Sequence, residues 1–338
     1  MNLFLIVQNF KCGYINRDGN IVIEPQFDYA GRFFEEAAVV NTGGRYQIEK
    51  LGNSRYKAKM FVGGQWGYIN KTGSYLIPPQ FSHAEPFSEG LAGAKVKGKW
   101  GFIDKSGDWI IKPKYGLTFP FERGQGGVTI RNKWGFIDKK GKFVIEPRFD
   151  STMNLSEGSR CVGINDRYGF IDRKGKVVID IKFQSAYSFT EGLATVSISD
   201  KYGFIDKKGK IAIEPQFTLA GSFHEGLAWV EVGGKYERTI RSGKFGYINK
   251  DGDMLISPRF DEPSEFCEGL AAVKVNKKWG YVNRKGDFVI SPEFEMAGVF
   301  RNGLAKVITN RRLGYIDKKG NRIWQSKKPV DHQTFWIG

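Results

Sequence analysis

At 338 residues with a formal net charge of +16, the chain is long enough for two ordinary domains or for one repeat array. Its 43 glycines and 27 phenylalanines against 5 methionines favour β-sheet with glycine turns over helix bundles. No apolar run is long enough to span a bilayer. Leu3 to Val7 is too short, and too poor in preceding positive charge, for a secretion signal, so a cytoplasmic protein without membrane contact is expected.

Along the chain an aromatic-Gly-aromatic tripeptide recurs, usually after a basic residue and before Ile or Val and then Asp or Asn. Its glycines are Gly13, Gly67, Gly101, Gly135, Gly169, Gly203, Gly246, Gly280 and Gly314. Successive spacings are 54, 34, 34, 34, 34, 43, 34 and 34 residues, a period of 34 with two insertions. These glycines number repeats 1 to 9.

Residues 270 to 303 illustrate one period. Leu270 to Val275 reads as strand A, Trp279 to Asn283 as strand B and Asp287 to Ile290 as strand C. A tight reversal such as Lys97-Gly98-Lys99 joins A to B. An Asx-basic-x-Gly turn joins B to C, with the Asx residue capping its own turn and the glycine taking positive φ. Strand C is expected to end at a proline, namely Pro25, Pro79, Pro113, Pro147, Pro215, Pro258 or Pro292, because proline has no N–H for a ladder. Two residues on, an aromatic re-enters the core: Phe27, Phe81, Tyr115, Phe149, Phe183, Phe217, Phe260 or Phe294. A link then closes on a Glu-Gly step before the next strand A, as at Glu89-Gly90, Glu157-Gly158, Glu191-Gly192, Glu225-Gly226 and Glu268-Gly269. A glycine in mid-strand signals close approach of another backbone or a ring; a ring from the neighbouring repeat is the expectation here. One meander buries too little to fold alone, so neighbours must stack.

The pattern Lys-Trp-Gly-Phe-Ile-Asp-Lys-x-Gly at Lys99 to Gly107 and Lys133 to Gly141 resembles the bacterial WG repeat, and the resemblance covers nearly the whole chain. Trp holds the first aromatic place at Trp66, Trp100, Trp134 and Trp279, while Cys12, Tyr168, Tyr202, Phe245 and Leu313 hold it elsewhere. The family implies an all-β repeat domain used as an interaction surface, without a shared catalytic activity, and it carries no functional residues across. The resulting expectation is an all-β tandem array of nine three-stranded antiparallel meanders over residues 1–328, forming an open solenoid or superhelix. A closed β-propeller-like ring is the alternative, and residues 329–338 form a tail or cap, in which Phe335 and Trp336 would cover the last repeat.

Residues shared by every repeat are most simply architectural, so departures from the pattern are the functional candidates. The A-to-B insertion near 41–64 offers Arg45, Tyr46, Lys50, Arg55, Tyr56, Lys57 and Lys59 against one acid, Glu49. The insertion near 233–243 opens with a similar Gly-Gly-basic-Tyr and offers Lys235, Tyr236, Arg238 and Arg241. The B-to-C turns add one basic residue each: Arg17, Lys71, Lys105, Lys139, Arg173, Lys207, Lys250, Arg284 and Lys318. Such a ridge could follow a phosphate backbone, or it could simply keep solvated turns soluble.

His83, His224 and His332 are dispersed and lie in no HExxH, GxSxG or Walker-type setting. The repeated Glu suits turn capping or a salt bridge between repeats better than a catalytic carboxylate pair. Cys12, Cys161 and Cys267 lack CxxC spacing and read as free thiols. No catalytic residue, metal, cofactor or small-molecule substrate is expected. The sequence points to a scaffold or accessory subunit with a protein partner, and nucleic acid is the alternative.

Overall fold

A computed structural model describes residues 2–50, 57–234, 236, 237, 240, 241 and 243–330, with backbone alone at 48–50, 57–60, 236, 237, 240 and 241. The described chain is all-β. It divides into two compact units, one of residues up to Pro147 with Ser326–Lys328, the other of Arg148–Gln325, to which Pro329 and Val330 also belong.

Repeats 2 to 9 each form a four-stranded antiparallel sheet in the order link, A, B, C. In repeat 5 these strands are Ser151–Ser156, Ser159–Ile164, Arg167–Asp172 and Val177–Phe183. Repeat 1 has three, Phe4–Gln8, Lys11–Ile15 and Ile21–Phe27.

The three-stranded expectation is thereby corrected: the link itself contributes a strand. In repeat 6 this strand is only Ser185–Ala186, too short for periodicity to reveal, and it pairs with Ser197 and Val196 of strand A. The Glu-Gly step folds it back. Glu191 at φ 53° and Gly192 at φ 90° form a two-residue turn closed by hydrogen bonds both ways between Thr190 and Leu193, the primed geometry that matches strand twist. The open-solenoid expectation is corrected with it, because four-stranded antiparallel sheets are the blades of a β-propeller.

Strand C does not end at its proline either. Pro292 lies inside Phe288–Phe294, and Pro25 inside Ile21–Phe27. Strand C is the edge of its sheet, and its register shifts between Trp279↔Phe294 and Tyr281↔Ile290, a bulge that tolerates the missing donor. This bulge also explains the strand-B glycine. A Cβ at Gly203 would lie 2.6 Å from the Ile213 carbonyl oxygen and 2.7 Å from the Pro215 nitrogen; at Gly280 it would lie 2.6 Å from the Ile290 oxygen and 2.7 Å from the Pro292 nitrogen. The expected ring from a neighbour is absent there: backbone of the same repeat fills the space.

Rings do join neighbouring repeats, one residue further along strand B. Tyr68 meets Phe87 at 4.7 Å, Phe102 meets Phe121 at 4.8 Å, Phe170 meets Phe189 at 4.7 Å and Tyr281 meets Phe300 at 4.8 Å, each partner sitting on the next link just before its left-handed turn. The tyrosine hydroxyls donate onward, Tyr68 to the Glu85 carbonyl at 2.7 Å and Tyr281 to that of Gly298 at 2.8 Å. The B-to-C turn glycine rests on the preceding repeat: a Cβ at Gly107 would meet the Ile77 side chain at 3.3 Å, and one at Gly209 would meet Ile179 at 3.1 Å.

Candidate interaction surface

The two insertions leave their repeats from the A-to-B end and are rooted alike. In repeat 2, strand A runs from Ala37 to Lys50 and strand B from Lys57 to Ile69, in register from Ala38↔Ile69 out to Lys50↔Lys57. Asn41, fully buried opposite Trp66, donates from Nδ2 to the Gly63 carbonyl at 3.2 Å and accepts from the Gly44 N–H at 3.0 Å. In repeat 7 the same sheet position, opposite Phe245, is held by the fully buried Glu231. A Cβ at Gly234 or Gly243 would come within 2.8 or 2.5 Å of its Oε1, so both strands of the insertion close on this carboxylate through bare glycine. Beyond them Tyr236–Glu237 pairs with Ile240–Arg241. The signal was present in the sequence as Asn41-Thr42-Gly43-Gly44 beside Glu231-Val232-Gly233-Gly234, a polar residue two places before each Gly-Gly, but only burial gives it meaning.

Of the residues expected on these hairpins, Arg45 is exposed and Tyr46 packs edge-on against Phe61 at 5.0 Å. Phe61 also meets Tyr29 at 5.6 Å and Trp66 at 5.7 Å, so the base of the first hairpin is an aromatic cluster. Lys50, Lys57 and Lys59 are placed by backbone register, Lys59 opposite Ile48, and Arg241 lies opposite Tyr236. Arg55, Tyr56, Lys235 and Arg238 lie outside the described residues, as do His332, Phe335 and Trp336.

The B-to-C turn bases stand on the opposite end of the sheets, and six of them reach the link turn of the preceding repeat, a Glu-Gly step in all but Lys105's, which is Glu35-Glu36. Lys105 meets Glu35 at 3.3 Å, Lys139 meets Glu89 at 3.4 Å, Lys207 meets Glu157 at 3.0 Å, Lys250 meets Glu191 at 3.1 Å and Lys318 meets Glu268 at 3.1 Å. Arg284 donates to the Glu225 carbonyl. Each carboxylate also accepts the N–H of the next turn glycine, as with Gly124 on Glu89 at 2.9 Å and Gly226 on Glu191 at 2.9 Å. Burial raises the carboxyls of Glu89, Glu157 and Glu191, but the lysine and glycine hydrogen bonds outweigh it and hold all three below the ordinary carboxylate value. Lys71 pairs with Glu36 at 2.7 Å, and Arg17 and Arg173 are exposed at their turns. Most of the ridge is therefore engaged in holding successive repeats together.

Among the described residues no three His, Cys, Asp or Glu side chains are grouped as metal ligands would be. His83 is wedged between Trp66 at 4.5 Å and Trp100 at 5.3 Å, and desolvation followed by the Lys95 charge lowers its pKa. Glu85 is pushed up to about 7 by burial, which the 3.1 Å hydrogen bond from the Thr118 hydroxyl only partly offsets. Cys161 is buried with its thiol 3.4 Å from the Ala186 carbonyl oxygen, and burial pushes its pKa up to about 12, a setting that suppresses the reactive thiolate.

The same grammar of aromatic-Gly strand, bulged proline and Glu-Gly turn defines a sequence family. The pattern of the WG containing repeat matches residues 13–46, 66–100, 100–134, 134–161, 168–202, 202–236, 245–279 and 279–311. The chain belongs to the WG containing repeat family. Repeat 9, around Gly314, lies beyond the matched segments yet keeps the four-stranded sheet. No curated protein matches the sequence. Among solved structures, a crystal structure of the eukaryotic initiation factor matches with a TM-score of 0.60 at 8% identity, covering 97% of this chain and 96% of that one, a likeness of fold alone. Hsv2p of Kluyveromyces lactis matches at 0.44 and 9% identity over 74% and 97% of the two chains. Apo AztD from Citrobacter koseri matches at 0.41 and 12% identity over 97% and 95%. The latter two are too loose to carry an argument.

Proposed function

We propose that this WG-repeat protein is a non-enzymatic, cytoplasmic interaction scaffold or accessory subunit whose two hairpin insertions engage a protein partner. The observation that supports this most is the shared root. Asn41 and Glu231 occupy one sheet position in their separate repeats, both fully buried, Asn41 bonded to Gly44 and Gly63 and Glu231 lying against Gly234 and Gly243 at the base of a hairpin that the repeat itself does not need. A buried polar side chain is costly unless it is satisfied, so loop variation alone gives no reason to keep one under each insertion. The engagement of Lys105, Lys139, Lys207, Lys250, Arg284 and Lys318 with neighbouring repeats favours the hairpins over the ridge as the surface that meets a partner.

Copurification from the native host tests the scaffold reading. The full chain should retain a protein partner after nuclease treatment, and Lys57→Glu/Lys59→Glu or Arg45→Glu should lose it while the far-ultraviolet spectrum and melting temperature stay unchanged. Retention by the charge-reversed chains would remove the hairpins from the proposal, and loss on nuclease treatment would favour nucleic acid.

A further inference from the structure

Repeat 5 departs from its family at one edge position. Seven repeats carry proline two residues before the strand-C aromatic; repeat 5 has Ile181, within the strand Val177–Phe183. Strand C is an edge strand in the sheet of every repeat, and a proline on an edge strand blunts it against pairing with another chain. Ile181 lacks this block.

The surroundings of this edge are basic and partly apolar. Val177 and Val178 are 43% and 45% exposed, and the preceding turn carries Lys174 and Lys176, both exposed, whose ammonium groups have no ion-pair partner among the described residues. Asp172 is committed to the turn, its Oδ1 accepting the Lys174 N–H at 2.8 Å and the Lys176 N–H at 2.9 Å. The neighbouring turn of repeat 6, which rests on Ile179, adds exposed Lys208 and Lys210. In the same unit, repeat 7 places Asp251 and Asp253, and repeat 8 places Asp287, where these lysines stand. The strand's own acid is Asp180, balanced by Lys182 lying 5.7 Å over the Phe183 ring. The unblunted edge thus coincides with a concentration of positive charge and two exposed β-branched side chains.

We propose that Val177–Phe183 is a docking strand that accepts an extended, acidic segment of a partner protein as a fifth strand of the repeat-5 sheet. Main-chain pairing to the edge supplies affinity, the valines select alternating apolar side chains, and Lys174, Lys176, Lys208 and Lys210 select Asp and Glu. A nucleic acid would meet the lysines but use neither the strand edge nor the valines. The inference rests on the scaffold reading and adds a second surface to it.

Selection of random dodecapeptides displayed on phage against the immobilised full chain tests it, followed by fluorescence anisotropy of the enriched peptides. Enriched sequences should alternate Asp or Glu with β-branched residues. Ile181→Pro, which installs the residue seven other repeats carry, should weaken them at least tenfold without lowering the melting temperature. Lys174→Glu/Lys176→Glu should weaken them about tenfold, and Lys57→Glu/Lys59→Glu should leave them unchanged. Should Ile181→Pro disturb the fold, Val178→Glu replaces it with the same expected loss. Peptides without acidic character, absence of enrichment, undiminished binding by Ile181→Pro, or equal competition by oligodeoxythymidylate would each overturn the docking strand. The hairpin variants' loss of the native partner would persist in that case, so the two readings fail separately.

Discussion

Gly101 shows how one missing atom sets the form of every repeat. Its absent Cβ would run into the Ile111 carbonyl and lie 2.8 Å from the Pro113 nitrogen, both backbone, which cannot swing aside as a side chain does. Gly101→Ala is therefore expected to cost about 1–3 kcal/mol in urea denaturation, the range for overpacking a tight interior. The same substitution at Gly314, where the nearest atom is 3.0 Å away, should cost less. A second residue-scale expectation concerns Glu85. Its folded pKa of about 7 lies above the ordinary 4.5, so the folded state binds the proton more tightly than the unfolded chain. Its penalty is absent below pH 4.5, grows between 4.5 and 7 and is complete above 7. Glu85→Gln should flatten the fall in melting temperature between pH 5 and pH 8; an unchanged slope would remove this carboxyl from the account.

Between elements, the joints combine a buried aromatic contact with a half-exposed ionic one, and their magnitudes differ. Lys250 and Glu191 keep 43% and 32% of their side-chain exposure, so Lys250→Met should cost less than about 1 kcal/mol. Glu191→Ala also strips the Gly226 N–H of its charged acceptor and should cost about 1.5–3 kcal/mol, with the pair's coupling read from a double-mutant cycle. Because Glu89, Glu157 and Glu191 are held below their ordinary value of 4.5, the ladder's contribution is complete above that pH and is lost as pH falls through their folded values. Tyr281→Phe removes the buried hydroxyl's bond to Gly298 while keeping the ring on Phe300; a cost of about 1 kcal/mol is expected in the same assay. The ladder was half legible: recurrence of Glu beside Gly suggested a capping or bridging role, but which lysine answered it lay 50 residues away in the case of Lys139 and Glu89.

At the scale of the molecule, stability is carried by joints of one kind repeated along the chain, so removing a terminal repeat exposes a buried ring face. Truncation before Met296 takes Phe300 from Tyr281 and Glu268's partner Lys318, and it should lower the melting temperature without abolishing the fold of the preceding repeats. The net charge of +16 is likewise unevenly used: part is neutralised in the ladder, while Lys174 and Lys176 have no ion-pair partner among the described residues.

The strands A and B, the Asx-Gly turns, the period of 34 and the family were determined by the sequence alone, because each rests on a short local pattern or on its recurrence along the chain. The fourth strand and the strand-C bulge were decided only in the tertiary structure. A two-residue strand has no periodicity of its own and exists because a left-handed Glu-Gly turn lays it on strand A, and proline survives mid-strand because strand C is an edge. The roots Asn41 and Glu231 belong to the same class: their identity could be read off the chain, but their burial beneath the hairpins is a property of packing between strands, which no local pattern encodes.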